Sequence, residues 1–186
     1  PLILISTLGG YEQAGLYMMA ERLVRMPINI ISNNIRNVVT SKIKDNFIKS
    51  HNFILKISIF LLLSSLLIFA IVYFFSDTVF VSFLGSKWLK SSTIVKIMFF
   101  WVVFNMSSLA FQAFNMNFGQ MKSMAILEFL FATFKIISLW VIYELGFGLY
   151  EASIIITLSS SAYCFSHIIC YFFTKNKVVT KFSRDL

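Results

Sequence analysis

Three long stretches without a charged residue limit what this chain can fold into. They cover residues 57–76, 97–121 and 152–174, which are 20, 25 and 23 residues long. About 20 apolar residues are enough for a helix to cross the roughly 30 Å hydrocarbon core of a bilayer. A soluble globular domain, a disordered chain and a secreted disulfide scaffold do not carry such stretches. The sequence therefore predicts an integral membrane protein.

Glycines divide the apolar sequence into segments. All seven lie outside the middles of the apolar stretches, as expected for residues that separate helices. We expect helices at about 14–41, 54–76, 94–118, 123–144 and 150–174. Each is too long for a transmembrane strand, which needs only about 9–11 residues. The predicted fold class is an all-α integral membrane bundle of five complete transmembrane helices, with the end of a sixth before them.

Lysine and arginine predict the orientation of the bundle. The chain has 16 of them against 8 acidic residues, a surplus that on a soluble protein suggests nucleic acid. Here most lie between apolar segments, where they report topology, so we expect no nucleic-acid partner. Nine fall on one side and three on the other. The nine are Lys42, Lys44, Lys49, Lys56, Lys122, Lys175, Lys177, Lys181 and Arg184, and the three are Lys87, Lys90 and Lys96.

The positive-inside rule places the richer side in the cytoplasm. Residues 1–174 then form a transmembrane lobe and residues 175–186 a basic cytoplasmic tail, whereas the connection at 77–93 faces outward. Residues 1–8 read as the end of an apolar span. We therefore expect the chain to be the C-terminal part of a longer protein.

The first long helix carries a polar stripe. Spacings of 3, 4, 4, 3 and 4 hold six side chains within an arc of roughly 80°. These are Arg22, Arg25, Asn29, Asn33, Arg36 and Thr40. A charge at mid-bilayer costs at least ~2.5 kcal/mol, so three arginines on one stripe need water, counter-charges or an anionic ligand. Because the arginine fork suits phosphate, the stripe predicts one wall of a hydrated cationic cavity.

Two other interpretations of this helix stay open. The helix could lie flat at the membrane surface with its basic side outward, or Glu21 and Arg25, at i and i+4, could form a structural pair. Its apolar side is predicted to hold Tyr17, Val24, Ile28, Ile31, Ile35 and Val38. Pro27 lies inside the helix, where it removes a backbone hydrogen bond. It is a candidate hinge, with a static packing kink as the alternative.

Two ionisable residues lie inside the fourth long helix. Glu128 and Lys135 are seven positions apart and share a face, about 10.5 Å apart along the axis. Ionisable groups within a membrane are functional candidates by default. Glu128 is a candidate for ion coupling and Lys135 for binding a substrate charge. The alternative is that both pair with residues on other helices.

Uncharged polar stripes mark two more helices. Asn105, Ser108, Gln112 and Asn115 follow one, and Ser153, Thr157, Ser160, Cys164 and His167 follow the other. Such stripes commonly join helices by hydrogen bonds, and the alternative is that they line a cavity. His167 is a candidate proton relay. The helix at 54–76 has no such stripe and is expected to face lipid more fully.

Three segments carry a resemblance to a known family. They are Gly-Leu-Tyr-Met-Met-Ala-Glu-Arg-Leu-Val-Arg-Met-Pro at 15–27, Phe-Leu-Gly-Ser-Lys-Trp at 83–88 and Ala-Phe-Asn-Met-Asn-Phe-Gly-Gln at 113–120. They resemble segments of the O-antigen and capsule repeat-unit flippases of the multidrug/oligosaccharidyl-lipid/polysaccharide exporter superfamily. One departure is Leu84, because the family often has Phe directly before Gly in the outer loop.

The resemblance implies the C-terminal lobe of a twelve-helix exporter in the bacterial inner membrane. It implies translocation of undecaprenyl-pyrophosphate-linked oligosaccharide by alternating access, with H⁺ or Na⁺ coupling and no cofactor or metal. Arg22, Arg25 and Arg36 would attract the pyrophosphate or acidic sugars. The implied partners are the lipid-linked oligosaccharide, membrane lipids and polysaccharide-assembly proteins.

Two rival functions stay open. One is a cation-coupled drug or solute exporter of the same superfamily. The other belongs to a different class, a membrane enzyme acting on lipid-linked sugars. Such an enzyme usually carries a large outer loop with catalytic residues, whereas the connection at 77–93 offers only Asp77, Lys87 and Lys90. We therefore expect a transporter and not an enzyme.

Overall fold

The protein is helical throughout the residues seen here. A computed structural model describes the backbone of residues 1–45, 47–118 and 120–182, and the side chains of 1–43, 51–118 and 120–174. Within these residues there is no strand. The helices are α1 (Leu2–Leu8), α2 (Gly10–Asp45), α3 (Phe47–Leu84), α4 (Leu89–Asn117), α5 (Met121–Glu144) and α6 (Leu149–Phe182). The predicted all-α class is confirmed.

Four of the described segments have the length and composition of a membrane span. They are His51–Leu84, Ser86–Asn117, Met121–Glu144 and Leu149–Thr174, with mean hydropathies from 1.5 to 2.6. The protein is thus a multi-pass membrane protein. The sequence predicted five spans, and α2 is the one outside this group. At 36 residues it is long enough, but its arginines and asparagines lower its hydropathy, so its crossing stays a prediction.

The predicted outer connection at 77–93 is wrong in its extent. α3 continues to Leu84 and α4 begins at Leu89, so only Gly85 and a short 3₁₀ turn, Ser86–Trp88, separate them. Gly85 adopts φ 90°, a conformation that glycine tolerates because it has no Cβ. Lys90 and Lys96 consequently belong to α4 and not to a loop.

An ion pair explains why the helices extend past the apolar stretches. Lys96 Nζ lies 2.6 Å from Asp77 Oδ2, and Ser92 Oγ donates to the same carboxylate. Asp77, which directly follows the predicted helix at 54–76, is thus matched by a cation of α4 and lies inside α3.

α4 is the central helix of the bundle. It packs against α2, α3 and α6, while α5 packs on α6 and touches α1. In the most apolar stretch of α4, 61% of residues are buried, against 17% in α3 and 11% in α5. The expectation that α3 is largely unburied is confirmed, and α5 is even less buried.

Small polar side chains let the helices approach α4 closely, as is common in membrane bundles. Ser91 Oγ donates to the carbonyl of Leu16 on α2 at 3.0 Å. Asn115 Nδ2 donates to the carbonyl of His167 on α6 at 2.9 Å. These two contacts fix α2 and α6 on either side of α4.

Part of the charge pattern used for orientation lies beyond the described side chains. These residues are Lys44, Lys49, Lys175, Lys177, Lys181 and Arg184. The backbone of α6 is helical to Phe182. The cytoplasmic position of the C-terminus remains a prediction.

Candidate functional site

A large polar cavity lies between α2, α4, α5 and α6. Its volume is about 790 Å³, within the roughly 300–1,000 Å³ that is usual for ligand sites. It borders α2 over 25–36, α4 over 101–116, α5 over 121–135 and α6 over 160–167. Of the helices that pack on α4, α2 and α6 leave this space between them. α5 forms the far wall of the cavity.

The structure gathers most of the predicted site residues around this cavity. The lining includes Arg25, Asn29, Asn33 and Arg36 from α2, and Glu128 and Lys135 from α5. The helical spacing explains the grouping on α2, because residues three and four apart share a face. Residues from two helices far apart in sequence thus meet in one space.

Arg22 is the exception. It does not line the main cavity but an adjoining groove of about 410 Å³, together with Leu2, Met18 and Met26. Arg25 and Asn29 border both spaces. The structure therefore divides the predicted arginine stripe between a polar cavity and a more apolar groove.

The polar stripe of α2 lies beside its packing face and not opposite to it. Of the residues on its predicted apolar side, Tyr17, Val24 and Ile28 are buried, whereas Ile31 and Val38 are 38% and 48% exposed. The buried residues centre roughly 110° from the arginines around the helix. The reason is that α2 packs on α4, and the cavity opens directly alongside that contact.

Arg25 takes part in the predicted structural pair and also borders the cavity. Its Nε lies 2.8 Å from Glu21 Oε1, one helical turn away. Its guanidinium lies 5.6 Å from the centre of the Trp101 ring, within the range of a cation–π contact. Glu21 therefore offsets part of the positive charge at this end of the cavity.

Arg36 is held by a neutral side chain. Its Nη2 donates to Gln112 Oε1 on α4 at 3.0 Å, and Gln112 Nε2 donates to Ser108 Oγ at 2.9 Å. Arg36 Nε is buried without a hydrogen-bond partner among the described residues. The hydrogen bond to Gln112 thus fixes one nitrogen of the guanidinium.

Lys135 is held in a similar way from the far wall. Its Nζ donates to Ser160 Oγ on α6 at 2.9 Å. Glu128 borders the same cavity, and within the described part of the chain it forms no ion pair with Lys135. The pairing with other helices that the sequence left open is therefore realised for Lys135 by a hydroxyl.

The two uncharged stripes serve both of their proposed roles. Members that border the cavity are Asn105, Gln112, Ser160, Cys164 and His167. Members buried in helix packing are Ser108, Asn115, Ser153 and Thr157. On α4 the two kinds of member alternate, whereas on α6 the first two members are packed and the last three border the cavity.

His167 forms part of the cavity wall without a polar partner for its ring. It is 4% exposed, and neither ring nitrogen has a hydrogen-bond partner among the described residues. Its ring stands edge-on to Tyr163, with centroids 4.6 Å apart. A role in proton relay stays a prediction.

Some residues that line the cavity were not predicted from the sequence. Trp101, Ser32 and Tyr163 all border the cavity. Trp101 carried a usable signal, since it lies four residues before Asn105 and extends the same stripe. A large aromatic ring in a membrane helix does not by itself indicate a polar surface, because most such rings face lipid or the core.

The candidate hinge lies within a helix that continues on both sides. Pro27 is exposed on α2, which extends from Gly10 to Asp45. It precedes Ile28 and Asn29 of the cavity wall by one and two residues. Its action as a hinge stays a prediction.

A hydrogen bond joins α5 to α2 outside the cavity lining. Tyr143 Oη donates to Gln13 Oε1 at 3.2 Å, and α1 touches α5 near this point. Tyr143 lies eight residues beyond Lys135 on α5. The predicted topology would place this contact on the outer side of the membrane.

Comparison with known proteins finds one similar family. Residues 2–93, which cover α1 to the start of α4, match the model of a family described as polysaccharide biosynthesis protein. The matched region contains the segments at 15–27 and 83–88 on which the resemblance partly rests. No curated protein and no solved structure matches the chain. Over residues 2–93 the chain is thus similar to a family of polysaccharide biosynthesis proteins, in agreement with its resemblance to repeat-unit flippases.

Proposed function

We propose that this protein moves undecaprenyl-pyrophosphate-linked oligosaccharide repeat units across the bacterial inner membrane. The family match supports a role in polysaccharide synthesis or export. The observation that carries the proposal is a cavity of about 790 Å³ inside an apolar helical bundle, with Arg36 and Lys135 on facing walls. The substrate would be an anionic headgroup that enters from the membrane.

The charges of the cavity favour an anionic ligand. Arg36 and Lys135 bond to a glutamine and a serine, so neither of these bonds neutralises the cation. Guanidinium and ammonium groups form charge-assisted hydrogen bonds with phosphate oxygens. A diphosphate between these walls would satisfy groups that otherwise carry unfavourable buried charge.

The lining also suits the sugar part of such a substrate. Asn29, Asn33 and Asn105 offer amide groups, and Trp101 and Tyr163 offer aromatic rings. Amides bond to hydroxyl groups, while aromatic side chains combine a large apolar body with, in Trp and Tyr, a polar tip. The adjoining groove beside Arg22 has mainly apolar neighbours, a suitable surface for the start of a lipid tail.

Alternating access is the mechanism we propose. The contact of Tyr143 with Gln13 would close one end of the cavity and would have to break for the substrate to leave there. Pro27 on α2 would permit the bending that this requires, since its neighbours lack one backbone hydrogen bond. Glu128 would carry the H⁺ or Na⁺ that drives the cycle.

Complementation of a repeat-unit flippase deletion tests the proposal. The intact protein is expected to restore surface polysaccharide, and the triple variant Arg22→Ala, Arg25→Ala, Arg36→Ala is expected to fail at equal expression. A matched control is Lys90→Ala, which removes a cation of α4 outside the cavity lining. Surface polysaccharide unchanged in the triple variant would exclude the cationic cavity as the substrate site.

The same strains separate the two rival functions. A drug or solute exporter would change the minimal inhibitory concentrations of cationic drugs and leave surface polysaccharide absent. A membrane enzyme would also leave surface polysaccharide absent, because repeat units would stay on the inner leaflet, and it would change the structure of those lipid-linked repeat units. Restoration of a normal polymer without either change supports the flippase.

A further inference from the structure

Four cations of the described part of the chain fall into two groups according to what holds them. Arg25 bonds to the carboxylate of Glu21 and Lys96 to that of Asp77. Arg36 bonds to the amide of Gln112 and Lys135 to the hydroxyl of Ser160. The two cations with neutral partners both belong to the main cavity, on α2 and α5.

We infer that Gln112 and Ser160 are positioning residues that orient Arg36 and Lys135 toward a bound anion while leaving their charges intact. The inference rests on the proposed function, in that the anion is the diphosphate of the substrate. Neither residue touches that anion in this scheme. Each acts through the cation it holds.

Gln112 is built to present its oxygen to Arg36. Its side chain is 8% exposed, and its Nε2 donates to Ser108 Oγ, which in turn donates to the carbonyl of Asn105. The reverse orientation of the amide would set two donors against each other. The chain of bonds therefore fixes Oε1 toward Arg36 and keeps the guanidinium in one place before any ligand arrives.

A neutral partner has a different electrostatic effect from a carboxylate. A carboxylate at hydrogen-bond distance cancels most of the field of a cation at a third site, whereas an amide or hydroxyl dipole reduces it only slightly. Serine and glutamine can thus pin a long side chain without removing its attraction for phosphate. Arg25, with Glu21 beside it, is expected to contribute less to that attraction.

The test uses a glutamate at position 112. Gln112→Glu keeps the size of the side chain and an acceptor for Arg36, and it adds a negative charge that the guanidinium favours. If Gln112 only joined α2 to α4, this variant would keep its fold and its function. If Gln112 instead holds Arg36 without cancelling its field, the variant must lower both the positive potential in the cavity and the transport rate.

A cysteine in the cavity wall reports the potential without any substrate. Ala132 borders the cavity and is exposed, so we use Ala132→Cys in a chain with Cys164→Ser and Cys170→Ser. The readout is the ratio of reaction rates with an anionic and a cationic methanethiosulfonate. Gln112→Glu is expected to lower this ratio by roughly threefold to tenfold, the range expected for one charge at intermediate dielectric. Asn117→Asp adds the same charge to α4 outside the cavity lining and should change the ratio by less than about twofold.

A second variant separates orientation from charge. Gln112→Met removes the acceptor and adds no charge. The ratio of the two thiol reaction rates should therefore stay within about twofold of its value with Gln112. Complementation of the flippase deletion should nevertheless fall at equal expression. If Gln112→Glu fails to fold, Ser160→Asp applies the same test to Lys135. An unchanged ratio in the glutamate variant, or full complementation by Gln112→Met, would overturn the inference. Failure of the unmutated chain to complement would instead contradict the proposed function, because the thiol ratio needs no substrate.

Discussion

Arg36 on α2 donates a 3.0 Å hydrogen bond to Gln112 on α4, 76 positions further along the chain. Arg36 lies within the family match and Gln112 lies beyond it. The bond therefore joins the arginine stripe of α2 to the polar stripe of α4. From the sequence, the α4 stripe could either join helices or line a cavity. It also places the cation at the edge of a cavity and not inside a helix contact.

Arg36 is expected to matter more for transport than Arg22. Arg36→Ala removes a cation of the main cavity, whereas Arg22 borders only the adjoining groove. Hydrogen bonds to charged groups contribute about 1.5–3 kcal/mol, so Arg36→Ala should lower the transport rate by roughly tenfold or more. Arg22→Ala should lower it by less than about threefold. Surface polysaccharide in the flippase deletion strain measures both, and the reverse order would contradict the division of the stripe.

Lys135→Ala should produce a loss comparable to that of Arg36→Ala. Its ammonium group faces the cavity from α5 and bonds to Ser160, so the variant removes the far cation and leaves a serine hydroxyl without its donor. The matched control is Lys122→Ala, at the exposed start of the same helix. We expect roughly a tenfold loss for the first and little change for the second. Equal results for the two variants would show that cavity position is irrelevant.

Asn115 is expected to stabilise the bundle without taking part in transport. It is fully buried, and its Nδ2 donates to the carbonyl of His167 at 2.9 Å. Side-chain hydrogen bonds between membrane helices contribute about 0.6 kcal/mol, and up to about 1.7 kcal/mol. Asn115→Ala should therefore lower the melting temperature in detergent by a few degrees. Thr133→Ala serves as the control, since Thr133 bonds only to Phe129 of its own helix.

Gly9→Ala should weaken the hydrogen bond between Tyr143 of α5 and Gln13 of α2. An added Cβ would lie 2.6 Å from Gln13 Oε1, 2.8 Å from Tyr143 Oη and 2.9 Å from the carbonyl of Ile5. Overpacking of this kind costs about 1–3 kcal/mol. Gly15→Ala is the matched control, because its Cβ would have no heavy atom within 4 Å, and alanine in a helix should stabilise by about 0.5–1 kcal/mol. Thermal unfolding of the two variants should shift in opposite directions.

The predicted orientation is tested by labelling from outside the cell. Lys87→Cys lies in the turn between α3 and α4, and Lys122→Cys lies at the start of α5. A membrane-impermeant maleimide should label the first in intact cells and the second only after permeabilisation, as the positive-inside rule requires. Labelling in the opposite order would reverse the topology and place the Tyr143–Gln13 contact on the cytoplasmic side.

The sequence was informative where structure depends on local pattern. The uncharged stretches at 57–76, 97–121 and 152–174 each contain enough apolar residues for a helical span, and the structure places a helix over each. The arginine stripe could also be predicted from the sequence, since residues spaced three and four apart lie on one face of any helix. Helix ends were less accurate: α3 continues past the predicted end at 76 because Asp77 pairs with Lys96 of α4, and α4 begins at Leu89, before the predicted start at 94.

The sequence by itself therefore determined an all-α membrane fold and a cationic face on α2, because helical period and hydropathy are properties of neighbouring residues. Only the tertiary structure decided how that face is used. The rotation of α2 against α4 turned Arg36 into the cavity and left Arg22 in the groove. The same packing gave Arg36 an amide from another helix, whereas the carboxylate beside Arg25 comes from its own helix. The partner that leaves the charge of Arg36 uncancelled is thus 76 positions away in the chain, and no local sequence pattern specifies it.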